Sequence, residues 1–161
     1  MDSIQISKEY RDFIEDMGII YEEMGLYRMA GRVIGWLLIS DPPHQNAKDL
    51  AKVLGASKGS ISTIIRWLLE SGLVERIGIP GERSTYYRMK PGAWIEVTKA
   101  KTAFHRSLRE IADRGLRLLN AKNPSVRERL REMHALQAFF EREIPILLER
   151  FDREYKEIKK S

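Results

Sequence analysis

Apolar residues recur at helical spacing through the first forty positions. Tyr10, Phe13, Ile14, Met17, Ile20 and Met24 keep one stripe behind an N-cap at Ser7, and Gly25 ends the run. A second stripe of Leu26, Ala30, Val33, Ile34, Leu37 and Leu38 predicts a helix from about Tyr27 to Ser40. Asp41-Pro42-Pro43 stops it, because proline has no amide to donate and forces its predecessor out of the helical region. Asn46 then caps a short helix that buries Ala47, Leu50, Ala51 and Leu54, with Asp49 in a capping-box-like position. Gly55 stands where that helix needs a residue tolerant of positive φ. Ser57 opens the next helix, which shows Ile61, Ile64, Ile65, Leu68 and Leu69 on one face and closes at Gly72. Two helices joined by Gly55-Ala56-Ser57 have the spacing of a helix-turn-helix.

After Gly72 the period shortens. Leu73–Ile79 and Ser84–Met89 are β-branched and aromatic segments around Pro80-Gly81-Glu82-Arg83, a turn sequence, so a β-hairpin follows the helix-turn-helix directly. That succession is a winged helix. From about Pro91 the helical period returns, with Val97, Lys101, Phe104, Leu108, Ile111, Gly115 and Leu118 in alternating four- and three-residue steps. Asn123 as N-cap and Pro124 as first helical residue start a last helix. Its positions Val126, Leu130, Met133, Gln137, Phe140, Ile144, Leu147, Phe151, Glu154 and Ile158 form a mostly apolar seam of period about 3.5. Pro145 is expected to kink this helix. So long a seam needs another helix in cis or in trans, and a second copy of the chain is the expected partner. The expected fold class is mainly α with a small β-hairpin wing. Residues 1–25 form an N-terminal dimerisation helix, 26–90 the winged helix-turn-helix domain and 91–161 a helical dimerisation region.

Composition narrows the chemistry. There is no cysteine among the 161 residues, which removes disulfides, thiolate nucleophiles and cysteine-ligated zinc. The start, Met1 to Ser7, lacks the basic flank and apolar run of a signal peptide. The longest apolar stretch, around Val33–Ile39, falls well short of the ~18 residues that span a bilayer. A cytoplasmic protein with no membrane partner is expected. His44, His105 and His134 share no metal-ligand spacing, and neither a phosphate-binding glycine loop nor a Gly-x-Ser-x-Gly elbow occurs. No enzyme activity, metal or cofactor is therefore expected.

Charge points to the partner. The formal net charge is +5, but residues 1–40 carry −3, 41–90 carry +3, 91–123 carry +4 and 124–161 carry +1. The basic excess begins with the helix-turn-helix, and lysine and arginine that neutralise phosphates release condensed counterions. At about 100° per residue, the helix from Ser57 to Ser71 places Gly59, Thr63, Arg66 and Glu70 opposite its apolar face, with Ser60, Ser62 and Trp67 on the shoulders. Small side chains there let a helix sink into a major groove, where bulk would hold it off the base edges. Ser57 and Lys58 sit at the helix N-terminus, whose free amides attract phosphate. Arg66 is suited to guanine or to a phosphate. Arg83 lies at the hairpin tip with Ser84 and Thr85 beside it, placed for an adjacent minor groove or backbone. Arg76, Arg88, Lys48 and Lys52 are left open. Serines and threonines also decorate ordinary solvated faces. Here that account must coexist with the preceding short helix, the glycine turn and the basic hairpin. A winged helix used for protein–protein contact without DNA is the main alternative, and RNA binding through the wing is a third.

The run from Ala47 to Tyr87 resembles the MarR superfamily of winged-helix regulators. Its marks are Asp49-Leu50-Ala51, Leu54 through Ser62, Leu68, Gly72-Leu73-Val74 and Gly81 through Tyr87. With Met24-Gly25-Leu26-Tyr27-Arg28-Met29-Ala30-Gly31-Arg32, the resemblance is closest to the GbsR-like branch and covers about residues 20–120. It implies a transcriptional regulator, most often a repressor. It also implies a homodimer with intertwined terminal helices that sets two reading helices on a palindromic double-stranded DNA operator. By similarity, Ser57, Lys58, Gly59, Ser60, Ser62, Thr63 and Arg66 lie on the reading helix, and Arg83, Ser84 and Thr85 on the wing. A small-molecule effector is implied too. The branch is associated with choline sensing, in which aromatic rings surround a quaternary ammonium. Trp36, Trp94, Phe104, Tyr10 and Tyr21 are the aromatic residues available for that, although aromatics at helical spacing are more often core, and no ligand is assigned.

Overall fold

A computed structural model of the chain describes residues 6–119 and 124–160. Its described elements are α1 (Lys8–Glu23), α2 (Arg28–Ile39), β1 (Gln45–Asn46), α3 (Ala47–Leu54), α4 (Lys58–Glu70), β2 (Val74–Ile77), β3 (Tyr86–Met89), α5 (Ala93–Leu118) and α6 (Pro124–Ile158). Two compact units divide it, residues 1–93 and 94–161.

In the first unit, α1 starts where Ser7 Oγ accepts the Tyr10 amide, as a serine N-cap should. Its apolar stripe does not stay on one buried face. Ile14 and Tyr21 are buried with Gly18, whereas Tyr10, Phe13, Ile20 and Met24 are exposed. The reason is the closeness of α2. A Cβ on Gly31 would stand 2.3 Å from the Met17 carbonyl oxygen, and one on Gly35 would stand 3.2 Å from Met17 Cβ. Backbones this near leave a narrow contact strip, so the wider stripe wraps past it. Ile14, Val33, Ile34, Leu50, Ile61 and Leu68 form the centre of this unit's core. Leu38, expected in the buried stripe of α2, is exposed.

The helix-turn-helix is built as its caps dictate. Asn46 Oδ1 accepts the Asp49 amide at 2.9 Å, and its Nδ2 donates to Asp49 Oδ2 at 2.7 Å. Gly55 ends α3 at φ +60°. Ser57 Oγ then accepts the Ser60 amide at 3.1 Å and starts α4, whose Ile61, Ile64, Ile65 and Leu68 are buried. The wing is larger than a hairpin. A third strand, β1, joins it, and the antiparallel order is β1-β3-β2, with Gln45 opposite Tyr87 and Val74 opposite Met89.

The second unit is a helical hairpin. His105 Nδ1 lies 2.6 Å from Gln137 Oε1, His134 Nε2 lies 3.2 Å from Asp113 Oδ1, and Arg127 donates to the Leu116 and Leu119 carbonyls. Residue numbers rise along α5 as they fall along α6, so the two helices are antiparallel. Arg106 and Arg109 both hold Glu141, at 2.8 and 2.7 Å. Part of the seam of α6 is thus satisfied in cis, including Gln137, one of its polar members. No residue described in α6 is fully buried, and Leu147, Phe151 and Ile158 of the seam are exposed together with Leu136, Phe139 and Ile146. The helix begins at Pro124 and continues through Pro145; the cap expected at Asn123 lies outside the described residues.

Candidate nucleic-acid interface

The reading face of α4 is open. Ser57, Lys58, Gly59, Ser60, Ser62, Thr63 and Arg66 are all exposed, while Ile61, Ile64, Ile65 and Leu68 anchor the opposite side in the core. A Cβ on Gly59 would meet only Ser57 Oγ, at 3.9 Å, so among the described residues nothing fills the space directly beside it. Trp67, on the shoulder, is half-buried and meets the Tyr27 ring edge-on with centroids 5.7 Å apart. That contact ties the flank of α4 to the start of α2.

The wing tip is shaped by a proline–glycine turn. The Glu82 amide donates to the Ile79 carbonyl at 3.0 Å around Pro80 and Gly81, the latter at φ +86°, the residue order of a type II turn. Arg83, Ser84 and Thr85 follow it and are exposed. Behind them the Tyr86 hydroxyl donates to Glu82 Oε2, which pushes the phenol above its ordinary pKa. His44 meets the Tyr86 ring edge-on at 5.2 Å. The base of the wing is therefore tied to the segment that enters α3.

Charge pairing separates the cations of this unit into two groups. Lys8, Arg28 and Arg32 pair with carboxylates, and Arg11 donates to the Ile6 carbonyl. Arg88 is held by Glu75 across the strands at 2.7 Å, which removes it from the cations left open by sequence. Among the described residues, Lys48, Lys52, Lys58, Arg66, Arg76, Arg83 and Lys90 form no ion pair. Every one of them lies between residues 48 and 90. An unpaired cation keeps its full attraction for an external anion, whereas a paired one must first give up its partner.

Sequence reasoning missed β1 and a strut at Arg32. Two residues cannot carry an alternating pattern, and Arg32 acts through a contact twenty-two positions away, where its Nη2 donates to the Leu54 carbonyl at 3.0 Å. Of the aromatic residues considered for a ligand, Tyr21 and Trp36 are buried, and Tyr10 meets Trp36 edge-on at 6.5 Å; Trp94 and Phe104 are exposed. Among the described residues no group of His, Asp and Glu could hold a metal ion, and no helix is long and apolar enough to cross a membrane.

A helix-turn-helix with a three-stranded wing and an open, small-residued second helix defines a winged-helix DNA-binding protein. Comparison with known proteins gives the family. The MarR family model matches residues 24–83, and one described as an MmpR5-like MarR family transcriptional regulator matches residues 92–154. The HTH-type transcriptional regulator MmpR5 of Mycobacterium tuberculosis (strain ATCC 25618 / H37Rv) is 37% identical over 153 residues, covering 95% of this chain and 93% of the relative. A crystal structure of a transcriptional regulator matches with a TM-score of 0.77 at 39% identity, covering 90% of this chain and 99% of that one. The chain belongs to the MarR family of DNA-binding transcriptional regulators. The second family model and the Mycobacterium tuberculosis relative carry the MmpR5 description, and the GbsR-like branch is not confirmed. They are regulators, not enzymes.

Proposed function

We propose that the chain represses transcription as a homodimer, each protomer setting α4 into a major groove of one half of a palindromic operator. In this reading Ser57, Lys58 and the first-turn amides of α4 grip phosphate, and Gly59, Ser60, Ser62 and Thr63 allow close approach. Arg66 reaches a base or a phosphate, and Arg83, Ser84 and Thr85 touch the neighbouring minor groove or backbone. The observation that carries it is the open, small-residue face of α4, beside which Lys48, Lys52, Lys58, Arg66, Arg76, Arg83 and Lys90 stand without a carboxylate partner. Support for the dimer comes from exposed apolar side chains on α5 and α6, among them Phe104, Leu136, Phe139, Leu147 and Ile158, which a lone chain would leave in water. Two-fold symmetry suits half-sites about one helical turn apart. Repression relieved by a small-molecule effector is the mode the family resemblance implies.

The test is a mobility-shift titration, at several salt concentrations, of a duplex selected by the protein from a random library. Micromolar or tighter binding that weakens steeply as salt rises supports the reading. No selected duplex, or an affinity indifferent to salt, supports the alternative of a winged helix that binds protein.

A further inference from the structure

The segment Arg28-Met29-Ala30-Gly31-Arg32 was singled out by the sequence, yet it lies off the reading face. Its geometry gives it a task. Arg32 runs along α1 where Gly18 leaves room for it, since a Cβ on Gly18 would stand 2.8 Å from Arg32 Cγ. Glu15 Oε1 lies 2.7 Å from Arg32 Nε, a charge contact and not a directed hydrogen bond, because Nε has no hydrogen-bond partner. The other carboxylate oxygen of Glu15 is held by Arg28 at 3.2 Å. At the far end, Arg32 Nη2 donates to the Leu54 carbonyl.

Leu54 closes α3. Its carbonyl is one of the terminal acceptors that a helix cannot satisfy internally, and a cation is favourable at that end. Only Gly55 and Ala56 separate it from Ser57, the N-cap of α4. The place where Arg32 grips α3 is therefore the place from which α4 departs. The Arg32 side chain is 22% exposed and its donors are turned to protein, so it has little to offer a phosphate. We propose that Arg32 is a positioning residue for DNA reading, clamping the α1–α2 pair to the end of α3 and so fixing the turn that aims α4. The proposal rests on the reading of α4 as the DNA-contacting helix. It requires arginine, because one planar group spans two separated partners that a lysine ammonium cannot reach together.

The experiment compares the full-length protein with Arg32→Met, Arg32→Lys, Glu15→Gln and Arg66→Ala, on the library-selected duplex and on poly(dI-dC). In both Arg32 variants, affinity for the selected duplex should fall about tenfold, the scale of a lost charge-assisted hydrogen bond, with cooperative unfolding retained. The slope of log affinity against log salt should stay at the wild-type value, because no phosphate contact is lost. Hydrogen exchange should quicken at the amides of residues 56–61 and not at Ile64 or Leu68. Arg66→Ala should instead lower the salt slope. If Arg32→Met does not fold, Arg32→Lys and the more exposed Glu15→Gln carry the test, the latter with a smaller loss at unchanged slope. Wild-type affinity in the folded Arg32 variants overturns the proposal, as does a reduced salt slope, which would make Arg32 a phosphate contact. An Arg66→Ala variant with wild-type affinity and slope overturns the DNA reading of α4 itself, and the proposal with it.

Discussion

Gly31 and Gly115 both sit inside helices, where alanine would be favoured by about 1 kcal/mol on propensity alone. Their neighbours decide differently. A Cβ at 31 meets the Met17 carbonyl oxygen at 2.3 Å, and backbone cannot swing aside. A Cβ at 115 meets Leu130 Cδ1 at 2.9 Å, the end of a side chain that can turn. Gly31→Ala should therefore cost about 2 kcal/mol despite the propensity gain, seen as a lower urea midpoint. Gly115→Ala should be neutral or stabilising by up to about 1 kcal/mol. Equal effects in the two variants would contradict the close α1–α2 approach. Nothing in the sequence distinguishes these glycines, because each is explained by an atom on another helix. The same holds for Arg88, whose partner Glu75 is thirteen positions away and becomes visible only with the strand register. Caps, by contrast, are local: Ser7, Asn46 and Ser57 could be read directly, since each bonds an amide three residues on.

At the scale of elements, periodicity carried α2, α3, α4, the hairpin strands and both long helices, because each has enough turns or alternations to show a face. It failed at β1, whose existence depends on β3 arriving beside it. It was also too coarse for α1 and α6, where one apolar stripe divides between a contact made within the chain and a face left exposed. The α5–α6 pairing has a pH signature. Hydrogen bonds from Arg109 and then Arg106 hold the Glu141 carboxyl below the usual carboxylate range. A carboxyl lowered in the folded state stabilises the fold above its unfolded pKa and loses that contribution as pH falls through the folded value. The contribution should thus be constant from neutral pH to about pH 5, decline as pH falls past the ordinary glutamate pKa of about 4.3, and be lost only below the lowered folded value. Thermal unfolding across this range should show a smaller acid-side drop for Glu141→Gln than for wild type. Identical drops would mean that the ion pairs do not hold the hairpin in solution.

For the whole molecule, the seam of α6 announced that another helix was needed but not which one. Gln137 and Phe140 of the seam meet His105 of α5 in the same chain, and the exposed apolar side chains of α6, Leu136 and Phe139 as well as Leu147, Phe151 and Ile158, are the surface offered to a second copy in the proposed dimer. Deleting residues 122–161 should turn a dimer into monomer or aggregate by light scattering. A stable DNA-binding dimer after that deletion would remove α6 from the interface. The central claim, that the small-residue face of α4 enters DNA, is tested most directly by Gly59→Leu. The position opens onto empty space, so the folded protein should accept leucine with its thermal midpoint unchanged or slightly raised. The added bulk should nevertheless hold the helix off the base edges and abolish binding to the selected duplex. A stable Gly59→Leu protein that binds that duplex as tightly as wild type would show that this face of α4 never enters the groove.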